Sequence, residues 1–541
     1  MNKPFAITLD VGSSLVNHTG SWRTERPVYL DRLPPCNHTC PAGENIQQWL
    51  FHAEEGNYHL AWQEIMKNNP LPAVMGRACY HTCEVACNRA HVDEAVGIHA
   101  VERFLGDLAL DNGWTVEVDA PASGKTILIV GAGPGGLSAA YHLTRLGHKA
   151  VVVDANEEPG GMMRYGIPRY RLPLKALDGD IARIKEMGVT FHMGVRVDDL
   201  HAAKTQYGAD AVFMAIGAQR PRELDVHQDG SVDAFNAIDV LRAIQQGEKP
   251  NLGQRVIVYG GGNVAMDVAR SAIRMGAAEV HVIARESEER LPAHKFEVKE
   301  AREEGVLIHP DRTVISIKDG AFKLEKMVTT SSEPFPTGQT EDLQGDTIIL
   351  AVGQLVDTDC CLEGMDKIQI VRDTVQVSSQ MMTGEEGIFA GGDMVPSPRN
   401  MTSAIGQGKK AARSIDAWLN GAVFEAPAKH EVVDHTMMNS WYYADAPKTI
   451  QPILDPIRRQ SGFEEVLGNL DESNALFEAR RCMSCGNCFE CDNCYGCCPD
   501  NAITKLGPGK RFEFKYDYCK GCGLCAAECP CGAIKMERDG L

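Results

Sequence analysis

The stretch Thr126-Ile-Leu-Ile-Val130-Gly131-Ala-Gly133-Pro-Gly-Gly136 decides the fold. An apolar run of strand length opens directly into G-x-G-x-x-G. A helical pattern continues from Leu137 to Leu146, and a second apolar run, Ala150-Val-Val-Val153, ends on Asp154. Strand, glycine turn, helix, strand and acid, in that order, build a dinucleotide site. The glycines allow a tight turn and close backbone approach to a pyrophosphate, which the helix N-terminus faces, while the acid meets ribose hydroxyls. Gly131, Gly133, Gly136 and Asp154 are the expected cofactor residues of this first fold. Glycine turns also arise for steric reasons alone, so it is the order of elements that carries the reading.

The pattern recurs downstream. Arg255-Val-Ile-Val-Tyr259 leads into Gly260-Gly-Gly262-Asn263-Val264-Ala265, a helix through Arg274 and a strand from Glu279 to Ala284. Alanine at the third glycine position is an accepted variant. Two dinucleotide folds imply two dinucleotides, and hydride exchange between FAD and NADH or NADPH is the simplest pairing. Further on, Gly387-Ile-Phe-Ala-Gly-Gly392-Asp393 reads as a strand ending on an acid, ahead of a helix starting at Thr402-Ser-Ala404-Ile405. Returned to the first fold, Asp393 reaches the ribityl–pyrophosphate region of a flavin, and the helix start offers amide donors to its electron-rich edge. The first fold is then a discontinuous FAD domain interrupted by the second. Val212-Phe-Met-Ala-Ile-Gly217 and Thr347-Ile-Ile-Leu-Ala-Val-Gly353 mark the junctions, with Gly217 as a further cofactor residue.

The chain has 541 residues, too many for one core, and its 73 acidic against 54 basic residues give a net charge of −19. That balance argues against nucleic acid as a partner. The start, MNKPFAITLDVGSS, lacks a basic, apolar export signal, and no window approaches the length of a membrane span, so a cytoplasmic protein is expected. There dense cysteines imply metal or redox chemistry rather than disulfides.

Of the 19 cysteines, five lie at 36–87, two at 360–361 and twelve after 481. The tail reads as a two-cluster ferredoxin. A C-x2-C-x2-C turn supplies three thiolates to one [4Fe–4S] cube, while the next cysteine, followed by Pro, serves the other cube. Cys519, Cys522, Cys525 and Cys529-Pro530 fit this register, as do Cys488, Cys491, Cys494 and Cys498-Pro499. One cluster is then Cys488, Cys491, Cys494 and Cys529; the other is Cys519, Cys522, Cys525 and Cys498. Zinc needs only one quartet, and a disulfide knot needs export. Cys482, Cys485, Cys497 and Cys531 are left over and read as spare thiols near a cluster.

Gly160-Gly161-Met-Met-Arg164-Tyr-Gly-Ile-Pro168 through Pro173, Gly260 to Arg270 and Leu291-Pro-Ala293 resemble the glutamate synthase small-subunit family, which includes ferredoxin oxidoreductases and the flavin half of dihydropyrimidine dehydrogenase. The resemblance spans about residues 30–425. It implies FAD in the first fold, with Gly161 and Arg164 beside it, NAD(P)H in the second, and an N-terminal helical iron–sulfur domain. Such domains commonly carry eight ligand positions. This chain has only Cys36, Cys40, Cys79, Cys83 and Cys87, and Met75 stands where a cysteine is usual. One N-terminal cluster is therefore expected, three in all, on Cys40, Cys79 and Cys83 with Cys36, Cys87 or Glu102 as fourth ligand. A zinc site or free buried cysteines are the bland alternatives.

The expected fold is α/β. It comprises a helical iron–sulfur domain (1–120), an FAD domain in two parts (121–235 and 345–425), an NAD(P)H domain (236–344), a linker (426–480) and a ferredoxin-like α+β domain (481–541). In the linker, Phe463 to Phe477 reads as an amphipathic helix and Trp441-Tyr-Tyr443 as core. Beyond the last strand of the second fold, Arg285 suits a 2′-phosphate but Glu286 repels one, which favours NADH. No acid–base constellation stands out. The expected activity is an NAD(P)H:acceptor oxidoreductase, within a complex or homo-oligomer. Its partner would be a ferredoxin or a ferredoxin-linked enzyme such as a 2-oxoacid oxidoreductase, a benzoyl-CoA reductase system or a dissimilatory sulfite reductase. The alternatives are the small subunit of glutamate synthase and a non-catalytic electron wire or scaffold.

Overall fold

The computed structural model describes residues 13–222, 227–329, 334–357, 361–362 and 365–540; most of the N-terminal stretch read for export signals, and Cys360, lie outside them. Two five-stranded parallel sheets form the body. The first runs Ile388–Ala390, Ala211–Met214, Thr126–Val130, Lys149–Asp154, Thr190–Met193 in spatial order. The second runs Leu307–His309, Glu279–Ile283, Arg255–Tyr259, Thr347–Leu350, Asp233–Asn236. Helices cover both faces of such sheets, which is why their central strands read as unbroken apolar runs. Ile127, Leu128, Ile129 and Val256, Ile257, Val258 are all fully buried.

The strand after the second domain returns to the first sheet, with Ile388 opposite Val212 and Ala390 opposite Met214. The interruption therefore has a definite register, and its limits differ from the expected ones. Asp233–Asn236 and Thr347–Leu350 pair with each other in the second sheet, so that sheet draws residues from both sides of 236–344. Beside it stands a separate sheet built on an antiparallel meander, Arg312–Lys318, Ala321–Thr329 and Pro334–Gln344, of which the first two strands bury Ile317, Phe322 and Leu324 and the third is mostly exposed.

The N-terminal helices Ile46–Glu54, Tyr58–Met66, Pro72–Ala78 and Ile98–Asp111 enclose Trp49, Leu50, Ile65, Val101 and Leu105. Ala475 and Ala479, from helix Glu472–Arg480, join that core. This helix is shorter than expected. Asp471 accepts a hydrogen bond from the Asn474 amide (2.8 Å), which fixes its start, and residues 463–471 run as irregular backbone instead. Trp441 is 88% exposed, so it is not core.

Segments far apart in sequence meet here. Strand Glu25–Tyr29 pairs antiparallel with Ile534–Arg538, and Arg23 binds Asp539 and the carbonyls of Tyr516 and Cys519. Residues 19–29 therefore belong with the tail rather than with the helical domain. Among the described residues no helix is long and apolar enough to cross a membrane.

Candidate functional site

Two cavities open along the C-terminal edge of the first sheet. One is lined by Gly133, Asp154, Gly161, Gly217, Gly392, Asp393 and Ala404; the other, of about 330 Å³, by Gly131, Asp154, Asn156, Gly217, Gln219 and Arg242. They share Asp154, Ile216, Gly217 and Gln219, and together make one elongated cleft. Gly131 holds φ +111°, and a Cβ there would collide with the Ala215 carbonyl; Gly260 repeats this in the second fold at φ +138° against Ala351. Asp154 accepts from the Ala132 amide (2.7 Å), so the acid also ties the turn to the neighbouring strand. Asn400 caps helix Met401–Leu419 by accepting from the Ser403 amide at 2.8 Å. That helix start faces the first cavity, which Asn400, Met401 and Ala404 line. A glycine cradle, an acid and a helix N-terminus along one cleft fit an extended dinucleotide.

Not every expected residue faces the cleft. Gly136 is buried at the helix turn, and the Ile405 side chain is fully buried in the core. Arg164 is committed to Asp178 and the Pro159 carbonyl. Sequence reading missed Gln219, Asn156 and Arg242. Arg242 reaches over from helix Ala237–Gln245 and bonds both of the others at 2.9 Å. Nothing in the spacing marks a cation arriving from the interrupting domain.

In the second fold Gly262 precedes helix Asn263–Arg274, and Val264 and Ala265 pack in its first turn. The Asn263 side chain accepts from the His294 amide (2.9 Å), and His294 stacks on Tyr80 of the N-terminal domain at 4.0 Å. Burial pushes the Tyr80 hydroxyl up to about 12. Arg285 is exposed and Glu286 half-buried beyond strand Glu279–Ile283. A buried ionic cluster joins the two folds. Arg171 binds Asp267 (2.8 Å) and Glu297, while Arg270 and Arg274 bind Glu304 and stack on Tyr170. With Glu300 on Arg270, four carboxylates face three guanidiniums, and burial raises Glu297 to about 7.

The cysteines gather in four groups. In the tail, Cys498 lines one small cavity with Cys519, Cys522 and Cys525. Cys488, Cys491 and Cys494 lie beside Cys529, close enough to act on one another's charge. The Ala502 amide donates to Cys498 Sγ (3.3 Å), and Tyr29 meets Cys494 Sγ at 3.5 Å. Such contacts to sulfur suit a thiolate that holds metal.

In the N-terminal domain, Cys40, Cys79 and Cys83 lie within one another's electrostatic reach. Burial pushes the Cys79 thiol up to about 12, with the Thr402 hydroxyl opposing and the Glu102 carboxylate adding to the rise. Glu102 is itself buried, held by Asn69 (2.8 Å), and raised by burial and by Glu44. Thr402 Oγ1 sits 3.2 Å from Cys79 Sγ, so the helix start at the flavin-type cleft touches this group directly. At Gly406 the same helix comes so close to the Pro41 carbonyl that a Cβ would collide with it.

Cys36 and Cys87 sit elsewhere. They line a separate cavity with Cys482 and Cys485, two of the thiols read as spare. Cys531 lies 3.8 Å from Cys529, and Cys497 is beside Cys498.

Comparison with known proteins accords with this layout. Residues 125–408 match the family model described as pyridine nucleotide-disulphide oxidoreductase, 26–114 that of dihydropyrimidine dehydrogenase domain II with a 4Fe-4S cluster, and 512–535 a 4Fe-4S binding domain. The chain is 34% identical over 498 residues to the beta subunit of the NADP(+)-dependent formate dehydrogenase of Moorella thermoacetica, covering 83% of this chain and 70% of that one. It is 31% identical to the beta subunit of the NADPH-Fe(3+) oxidoreductase of Geobacter sulfurreducens, covering 84% and 76%. To the glutamate synthase [NADPH] small chain of Escherichia coli it is 31% identical, covering 71% and 89%.

Proposed function

The chain belongs to the pyridine nucleotide-disulphide oxidoreductase family and is an FAD-dependent NAD(P)H oxidoreductase with iron–sulfur clusters; from that premise we propose that it exchanges electrons between NAD(P)H and a partner redox protein as one subunit of a complex. FAD supplies the conversion between the two-electron hydride of a nicotinamide and the single electrons of iron–sulfur centres. What the chain contributes is position. Gly131, Gly133, Gly161 and Gly392 leave backbone open along the cleft, Asp154 and Asp393 would accept from hydroxyls of a bound FAD, and Arg242 offers positive charge. The ionic cluster at Arg171 and Asp267 ties the second domain to the first, which would hold the two dinucleotide sites at a fixed separation.

The observation that carries the reading is the 3.2 Å contact between Thr402 and Cys79, which puts a cysteine group against the flavin-side helix start. Cys40, Cys79, Cys83 and Glu102 are the proposed ligands of the cluster there, and the two tail quartets hold two more. Cys491 and Cys522 are the exposed cysteines of those quartets, and Trp441 and Tyr442 lie exposed nearby, so electrons leave or enter on that face. The partner is a ferredoxin or a ferredoxin-linked oxidoreductase. Three relatives, each a subunit or chain of a redox enzyme, support a subunit role. Anaerobic addition of NADH or NADPH to the purified chain tests the proposal. Bleaching of flavin absorbance is expected, and an unbleached flavin with both nucleotides sinks it in favour of a passive scaffold.

A further inference from the structure

We propose that Cys36, Cys87, Cys482 and Cys485 together hold a further [4Fe–4S] cluster, assembled from the two ends of the chain, that relays single electrons between the N-terminal cluster and the ferredoxin tail. This rests on the function proposed above, which uses three clusters and leaves these four thiols idle.

The geometry distinguishes the site from a pocket of spare thiols. All four cysteines line one cavity whose remaining wall is largely apolar, with Leu50 and Ile98 on it. The cavity is small, about 20 Å³, the same as the cavity around the tail quartet of Cys498, Cys519, Cys522 and Cys525. Cys36 lies within the electrostatic reach of Cys482, Cys485 and Cys87, as the tail thiols of one quartet lie within one another's.

The C-x2-C pair arrives by a built route. Arg481, 2% exposed, is held by Glu478 (2.5 Å), Asp93 (3.1 Å) and the carbonyls of Glu94, Ala95 and Ala446. It docks the segment ahead of Cys482 on the N-terminal domain, and Gln47 reaches Ser484 from the far side at 3.3 Å.

Position in the molecule supplies the relay. Cys36 is one helical turn from Cys40, whose amide donates to the Cys36 carbonyl (3.2 Å). On the other side, the Gly486 amide donates to the Cys531 carbonyl (2.7 Å), and Cys531 touches Cys529 of the tail. Tyr443 packs among Cys482, Cys485, Cys529 and Cys531. The split site thus bridges the flavin-side group and the tail. An electron accepted from one side leaves to the other, with no bond made and no net change at the site.

The test is iron and acid-labile sulfide in the anaerobically purified full chain and in a Cys482→Ser/Cys485→Ser double variant. Four cubes give about sixteen iron per chain and three about twelve. The proposal expects about sixteen in the wild type and about twelve in the double variant, with FAD content and flavin bleaching by NAD(P)H unchanged. Cys497→Ser should leave the iron count unaltered. A wild-type chain whose iron count the double variant leaves unchanged overturns it, as does one zinc per chain that the variant loses. Should the double variant not fold, spin integration of the fully reduced wild type decides, with four paramagnetic centres expected and three contradicting. Failure of flavin bleaching with four cubes present would break the function proposed above and leave this site standing.

Discussion

The two ends of the molecule hold cysteines by different means. In the tail, the nine cysteines from 488 to 529 sit on or beside short turns, and left-handed residues such as Asp492 and Gly523 start its one-turn helices. Two of these cysteines, Cys491 and Cys522, are exposed. In the N-terminal domain the groups are set between helices, braced by a buried Glu102 and a buried Arg481, and none of the five cysteines is exposed. A centre that meets a partner needs a solvent edge, and one that relays within a chain needs the solvent excluded. On the function proposed above, the tail would exchange electrons with a partner and the interior groups would conduct them.

The largest expected effect separates these roles at the exposed end. Cys525→Ala should remove one tail cluster and lower NADH-driven reduction of cytochrome c, a protein too large to reach the flavin, by about 100-fold or more. Reduction of ferricyanide should stay within about 2-fold, because a small oxidant reaches the cleft directly. Equal losses with both oxidants would erase the distinction.

Arg481→Met tests the interior bracing. It leaves Glu478, fully buried, short of its cation, while Asp93 keeps Arg89 at 2.6 Å; breaking a buried pair costs about 3–5 kcal/mol. A clear fall in Tm is expected, together with iron lost from the split site before the tail. An unchanged Tm and iron count would mean that the arginine braces nothing.

How far each region was legible follows from the same contrast. The tail's proposed ligands are local, so C-x2-C-x2-C and the prolines after Cys498 and Cys529 suggest a register, and the grouping of Cys498 with Cys519, Cys522 and Cys525 accords with it. The two glycine turns are local too, and the return of Ile388–Ala390 to the first sheet followed from Asp393 and the helix start at Thr402. Long-range pairings left no such trace. Cys36 and Cys482 are brought together by Arg481, which in sequence is one basic residue among many. Strand Glu25–Tyr29 pairs with Ile534–Arg538 across the whole chain, and neither segment alone names its partner. Arg242 enters the cleft from another domain for the same reason. Capping explains the shortened helix before Arg481, since Asp471 starts it eight residues after Phe463.

Smaller effects sharpen the nucleotide end. Glu286→Arg should move the ratio of kcat/KM for NADH over NADPH by about 10-fold toward NADPH, as a second guanidinium meets the 2′-phosphate. An unchanged ratio would mean that Glu286 does not select.

The smallest concerns Glu297. Its folded value of about 7 lies above the ordinary 4.5, so between those values the folded chain keeps a proton the unfolded chain releases. Stability from this group is present below 4.5 and lost as pH rises through 7. Relative to wild type, Glu297→Gln should therefore gain about 1–3 °C in Tm from pH 5 to pH 8. A gain in the opposite direction would place the shared proton on another carboxylate.

The most direct measurement is single-turnover mixing of the anaerobic chain with NADH, with flavin absorbance followed alongside cytochrome c reduction, in wild type and in Cys79→Ser. Electrons that pass from the flavin cleft through the group touching Thr402 should reduce the flavin at the wild-type rate in both proteins and reach cytochrome c only in the wild type. Undiminished cytochrome c reduction in Cys79→Ser would contradict that path.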